Sequence, residues 1–379
     1  MDVAISSGTC DYYLKWRVNN MAQISIIRTL DEFEALKDKW DCLFAANPRL
    51  RVFQTYEWNR IVWEKYHNVE LPDETLYIVH AVHDGKLKQE TILPFCRSKN
   101  GVLHFIGYMM ADVLDAISPA HVDNWHCFYA EIIEFLKEQK DVADISLWKM
   151  EGISEVLLYF GAHWPYAKIN HQETCSYFIA EKDASIESAF PHLDSKGRSN
   201  LRRISKKFPE LDFKVYSKDR GCEFPREQLL DIRNHMIENG LRVYASCPDS
   251  YIESMEGLYH LGLCEVSSLN NENGQFQYSA FRLIARDHVN FWVVFYRNGA
   301  LTTVGDVKYF LEKTHEGCYC YDYGTGAYSY KLLTFRPLIV QLYSVEGHPL
   351  SLSNLVRDVI NLLRRYVKAW LVQLRLRKK

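Results

Sequence analysis

The sequence predicts an α/β protein of the α+β kind, folded as two lobes, each a mixed and mainly antiparallel sheet flanked by helices. Three observations carry this expectation. The chain has 379 residues, more than the roughly 250–300 that one hydrophobic core normally serves. Strand-like and helix-like segments interleave along it instead of forming blocks. Hairpin signals recur in both halves. A hydrophobic fraction of 47% with 25% charged residues is ordinary for folded domains and disfavours disorder, collagen or a long coiled coil.

Residues 1–20 precede the first regular pattern and are taken as an N-terminal extension. Asp31 to Ala45 then spaces Phe33, Leu36, Trp40 and Leu43 by three and four, which is one face of an amphipathic helix. A second helix is expected over Tyr56 to Tyr66, with Thr55 able to accept its first free backbone N–H groups and Trp58, Ile61, Val62 and Trp63 as the buried stripe. Residues 75–83 and 90–97 are β-rich and separated by Asp84-Gly85, so they pair as a hairpin. Further strands at 103–106 and 145–148 enclose a helix at 127–139.

The second half opens on residues 195–208, SKGRSNLRRISKKF, with six basic residues and Leu201, Ile204 and Phe208 on one helical face. Either a solvated connecting helix or an electrostatic lip for an anionic group fits them. A strand at 212–216 and helices over Pro225 to Asn239 and Ser250 to Leu261 follow. Strands at 275–285 and 290–296 form a hairpin about Arg286, Asp287 and His288. A loop at 302–306, TTVGD, leads to a short helix, and a strand at 318–323 runs into a glycine turn. His235 and His260 fall on helices and are given no role.

The net charge of −3 gives no case for a nucleic-acid binder, so any anion site must be local. The ten cysteines are scattered; the closest pair, Cys318 and Cys320, lacks the two-residue spacing that lets thiolates share zinc. They are expected as free thiols of a cytoplasmic protein. No G-x-S-x-G elbow supports a hydrolase. Residues 354–379 hold eight Lys or Arg against one acid, Asp358, with apolar residues every three or four: a basic amphipathic helix. It packs on the second lobe or docks peripherally on the anionic inner membrane face.

Residues 318–331, CYCYDYGTGAYSYK, carry an aromatic–Asp–aromatic strand end that passes through glycine to Tyr-Lys. This segment resembles the signature near the end of the CelD-like acetyltransferases of cellulose and exopolysaccharide biosynthesis, with Asp322, Gly326, Tyr330 and Lys331 at the matching positions. FQTYEW at 53–58, GYMMADVLD at 107–115 and the basic helix at 196–207 are further similarities. Where that family has Arg, Asp and Glu around the turn glycine, this chain has Thr325, Ala327 and Tyr328.

The resemblance implies two GNAT-like lobes in tandem, over 21–175 and 176–353, akin to the Fem-type aminoacyltransferases, with the acyl donor in the second lobe. It implies an acyltransferase moving an acyl group, acetyl above all, from a coenzyme A or acyl-carrier-protein thioester to a hydroxyl or amine of a sugar or glycan precursor. Acetyl-CoA or another acyl thioester is then the co-substrate, and no metal is needed. The alternatives are a Fem-like enzyme using aminoacyl-tRNA and a non-catalytic binding protein of the same fold, which the altered turn residues permit.

Such a site needs backbone donors for the pyrophosphate and a base for the acceptor. Thr303, Val304 and Gly305 are the candidate phosphate loop, Gly305 allowing close backbone approach, while an ordinary strand-to-helix turn explains them equally. Asp322 is the candidate general base or, alternatively, caps the following turn. Tyr330 would protonate the departing thiolate, and Lys331, beside Gly326, would bind donor phosphate or the oxyanion. A buried tyrosine and a snorkelling lysine fit the same positions.

Overall fold

The computed structural model describes residues 22–83, 89–120, 125–190, 193–241, 247–317, 319–326 and 335–347. Tyr330, Lys331, Ala327, Tyr328 and the basic segment 354–379 lie outside the described residues.

The first lobe opens with β1 (Gln23–Ile27), α1 (Leu30–Ala35) and α2 (Lys37–Ala46). Thr29 and Glu32 close a reciprocal capping box on α1. Helix α3 (Tyr56–Val62) starts where expected, Thr55 accepting the Trp58 N–H, and continues through a π-helical turn at Trp63–His67. Strands β2 (Thr75–Leu76), β3 (Ile78–His83), β4 (Gln89–Leu93), β5 (Phe95–Arg97) and β6 (Val102–Phe105) follow. Helix α4 (Trp125–Glu138) then crosses to β7 (Asp144–Glu151), and α5 (Glu155–His163) leads into the long β8 (Lys168–Ala180).

The second lobe contains α6 (Ile186–Ala189), α7 (Ser195–Ser205), β9 (Asp212–Tyr216), α8 (Arg226–Glu238) and α9 (Asp249–His260). It continues with β10 (Cys264–Asn270), β11 (Phe276–Ala285), β12 (His288–Tyr296), α10 (Ala300–Thr314), β13 (Tyr319–Thr325) and β14 (Leu338–Glu346). Eleven strands make one sheet in the order β2-β5-β6-β7-β14-β8-β13-β12-β11-β10-β9, with β1-β3-β4 as a small sheet beside it. The chain passes from one sheet to the other at Tyr77 and at Pro94, and proline has no N–H to keep a ladder going. The expected lobe boundary at 175/176 falls inside β8, and β14, late in the chain, inserts between β7 and β8.

Each lobe contains a β-α-β crossover whose parallel strands part almost at once. Strands β6 and β7 pair only at Val102 with Asp144 and Leu103 with Ile145. Strands β12 and β13 pair only at His288 with Cys320, Val289 with Tyr321 and Asn290 with Asp322. A bulge accompanies each divergence. Trp292 and Val293 share the place opposite Phe281 on β11, and Trp148 and Lys149 share the place opposite Ser344 on β14. The extra residue bends the strand and raises its twist, which opens a fork; Lys149 takes a left-handed φ of 62° to do so.

The expected loop at 302–306 is corrected: those residues lie inside α10. Thr303, Val304 and Gly305 therefore donate their N–H groups along the helix and cannot cradle a phosphate. The reason is packing. Val304, Gly305 and Asp306 are buried against β11, and Gly305 exists because a Cβ there would enter the Tyr278 ring. Among the described residues no helix is long and apolar enough to cross a membrane.

Candidate active site

The two forks differ in what fills them. In the first, His104 reaches across to the Ser146 carbonyl on β7 at 3.1 Å. The Tyr108 ring stacks on His104 with centroids 4.6 Å apart and meets Trp148 edge-on at 5.8 Å. Burial holds His104 below the ordinary histidine range, so it stays a neutral packing ring. Aromatic side chains thus close the first fork.

Behind them, His67, Glu74 and Cys96 bring ligand-type atoms within 4.8 Å of one another. His67 Nε2 accepts the Gly107 N–H at 2.9 Å, so its proton sits on Nδ1, bonded to Glu74 at 2.7 Å. A cation on Nδ1 would drive that proton onto Nε2, against Gly107 N–H. The cluster is a clamp at the end of the π-helical turn, with Tyr108 bonded to the second Glu74 oxygen at 3.1 Å.

The second fork is polar. Asp112, carried on the 107–117 segment of the first lobe, stands between its strands. Asn290 on β12 donates to one carboxylate oxygen at 3.3 Å and Thr325 on β13 to the other at 3.0 Å. Gly324 has a left-handed φ of 66°, and a Cβ there would lie 2.5 Å from Asp112 Oδ2. A side chain at 324 would therefore push the carboxylate out of the fork. Trp292, at the bulge, fixes the same segment by bonding the Met110 carbonyl at 2.9 Å.

Beside the fork, Arg51 joins the lobes. One nitrogen is paired with Glu151 at the end of β7 at 2.5 Å, and another with Asp322 on β13. The side chains are 11% exposed for Arg51 and 2% for Asp322. Asp322 Oδ1 also receives the Gly324 N–H at 2.8 Å and the Cys175 thiol at 3.0 Å. Burial and the neighbouring carboxylate push the Cys175 thiol well above its usual range, so it remains a donor. Both Asp322 oxygens are engaged, in the turn-capping arrangement and an ion pair; to take a proton from a substrate it would first have to release Arg51 or Cys175. Gly326, at φ 95°, spends its N–H on the Thr174 carbonyl at 2.9 Å.

From Glu151 a pocket extends into the first lobe, lined among others by Arg49, Gln54, Asp115, Tyr129, Ser154 and Glu155. Ser154, the N-cap of α5, accepts the Leu157 N–H and donates to Asp115 at 2.8 Å; Ala116 N–H donates to the same oxygen at 2.8 Å. Protein packs around Asp115, which keeps only a narrow accessible edge, and this burial raises its carboxyl to about 6 against the opposing pull of Ser154, Ala116 and Arg49. Burial and then Asp115 raise Glu155 to about 7, against Arg49.

Both carboxyls bind protons more tightly folded than unfolded, so stability falls as pH rises from about 4 to 7. Asp115→Asn is expected to raise Tm by a few degrees at pH 8 and to leave it unchanged at pH 4. Thermal melts at the two pH values check this, and an equal shift at both would contradict it.

The sequence marks neither Asp112 nor Asp115 as a site residue; their stretch, 107–115, enters there only as a similarity to a family. Two acids within the otherwise apolar Met-Met-Ala-Asp-Val-Leu-Asp were the available signal. Glu155 lies in the first turn of α5, where an acid is ordinary and carries no sequence signal of a site.

No family model matches the sequence, and no curated protein matches it. Solved structures do share its fold. L-PGS from Bacillus licheniformis is similar over 86% of this chain and 96% of its own, with TM-score 0.51 at 14% identity. FemX is similar over 85% and 96%, with TM-score 0.52 at 11% identity. The C-terminal domain of a putative lysylphosphatidylglycerol synthetase from Agrobacterium fabrum is similar over 88% and 96%, with TM-score 0.52 at 9% identity. The fold is two GNAT-like lobes in tandem, each contributing one fork to the shared eleven-stranded sheet.

Proposed function

We propose that the protein is an acyltransferase of the GNAT or Fem type that holds its acyl donor in the second fork. The observation carrying this reading is the contrast between the forks: aromatic rings close the first, while polar groups from both lobes line the second. In this reading the donor is an acyl thioester, acetyl-CoA or an acyl carrier protein, and the acceptor is a hydroxyl or amine of a sugar or glycan precursor. Asp112, where β12 and β13 part, takes the acceptor's proton as the tetrahedral intermediate forms. Arg51 and Asp322 hold that floor in place. Tyr330 supplies a proton to the leaving thiolate, and Lys331 binds donor phosphate or the oxyanion.

A second reading, a Fem-like enzyme fed by aminoacyl-tRNA, is favoured by α7, where Lys196, Arg202 and Arg203 are exposed and Lys206 and Lys207 continue the basic surface just beyond it. Calorimetric titration with acetyl-CoA, coenzyme A and an RNA hairpin separates the two. Saturable coenzyme binding, weakened at least tenfold by Lys331→Ala, is the expected result. RNA binding without coenzyme binding would transfer support to the second reading, and silence toward all three would leave a non-catalytic protein of this fold. Asp112→Asn is expected to keep donor affinity and to lower turnover about 10²–10⁴-fold.

A further inference from the structure

We infer that the first-lobe pocket at Asp115, Glu155, Tyr129 and Arg49 is a binding site for a cationic primary amine, which enters with its nitrogen between the two carboxyls. Asp112 is not among the residues lining this pocket, so the binding of the amine here does not depend on the acyl-transfer reading above.

The charge count makes the case. Glu151, at the pocket wall, shares the Arg51 guanidinium with Asp322, which leaves Arg51 no charge to spare for the pocket. Two carboxyls, Asp115 and Glu155, then face one guanidinium, that of Arg49. One carboxyl is left without a countercharge in a place that disfavours bare charge, so the empty pocket keeps a proton instead. An ammonium supplies the missing positive charge together with three N–H donors. A neutral hydroxyl supplies donors but no charge, and an anion would meet the surplus carboxyl.

A second observation points to a ligand independently. The Tyr129 hydroxyl is fully buried, lines this pocket and has no hydrogen-bond partner among the described residues. Thr91 and Ser118 are its polar neighbours, yet neither reaches bonding geometry. A buried hydroxyl left unpaired costs free energy that a ligand lone pair or N–H would recover. The hydroxyl also lies in the field of Glu155 and Asp115, so it shares one site with them.

The groups facing the carboxyls fix the pH dependence. Asp115 sees Arg49, Glu151 and Ser154; Glu155 sees Asp115 and Arg49, with Tyr159 of its own helix nearby. A bound cation favours the charged carboxyls, so binding expels the retained proton and affinity rises as pH rises from about 5 to 7, where the amine stays a cation.

Calorimetry with the full chain and glucosamine, with glucose and N-acetylglucosamine as uncharged controls, tests this without any acyl donor. Glucosamine is expected to bind saturably, at least tenfold tighter than either control. The heat in buffers of different ionisation enthalpy should report proton release near pH 6.5. Glu155→Gln should weaken glucosamine at least tenfold and abolish the proton release, and Tyr129→Phe should weaken it while leaving that release intact. Equal binding of all three sugars, proton uptake in place of release, or no glucosamine binding by a folded protein at millimolar concentration would each overturn the inference. Glucosamine binding with no acetyl-CoA binding would leave this inference standing and remove the acyl-transfer reading alone.

Discussion

Replacing Arg51 with methionine is expected to destabilise the protein by about 3–5 kcal/mol, the range for stranding one side of a buried ion pair. The loss is large because two carboxylates depend on one guanidinium. Asp322 lies on β13 and Glu151 on β7, so both strands would keep a negative charge facing the same desolvated space. Methionine fills much of the volume, which makes the effect electrostatic more than steric. Adding Glu151→Gln and Asp322→Asn to the same chain should return a substantial part of the stability, since no charge then remains unpaired. Urea denaturation of the single and triple variants measures this. A single variant within 1 kcal/mol of the parent would mean that Arg51 does not fasten the lobes together.

Gly305→Ala is the second large effect, with an expected loss of about 2–3 kcal/mol from overpacking. In an ordinary helix interior the same change stabilises by roughly 0.5–1 kcal/mol. Here the added methyl would enter the Tyr278 ring. That ring cannot swing aside cheaply, because its hydroxyl donates to Asp306 at 2.9 Å and is bonded by Arg282, which is itself paired with Asp306 at 2.6 Å. All three side chains are buried. A fall in Tm with unchanged donor affinity in the folded fraction is the expected pair of results. Unchanged Tm with lost donor affinity would restore the phosphate-loop reading of residues 302–306.

That residue also illustrates what could be seen in the sequence. Thr-Thr-Val-Gly-Asp has β-branched residues and a glycine, poor helix formers, and so resembled a turn. Burial of Val304 and Asp306 against β11 overrides that local preference, which no local pattern records. Strand β10 has no strand pattern in the sequence for a related reason: Cys264–Asn270 carries Glu265, Ser267, Ser268 and Asn270, all buried, so its polar composition hides a fully covered strand. Strand β14 is not legible either, because its place between β7 and β8 depends on strands far earlier in the chain.

Helices with regular spacing were legible: α2, α3, α4, α8 and α9 fall where Trp40, Trp58, Leu136 and their neighbours recur. The hairpin of β11 and β12 was legible as well, its two-residue turn at Arg286 and Asp287 falling within the expected polar stretch. At the site the sequence offers Asp322 as a candidate general base, with capping of the following turn as the alternative, and in the structure both its oxygens are engaged by Arg51, Cys175 and the Gly324 N–H. It could not reveal Arg51 beside it, because the two are 271 positions apart. Nor could it reveal the unlike filling of the two forks, which depends on side chains from loops crossing between lobes.

The location of the acyl donor is tested most directly by hydrogen exchange of the full chain with and without saturating acetyl-CoA. Protection is expected in the amides of Phe291 to Tyr296 and of Tyr323 to Gly326, with Leu103 to Gly107 and Leu147 to Glu151 unchanged. Protection confined to the β6 and β7 segments would contradict the account by moving the donor to the fork that His104, Tyr108 and Trp148 fill.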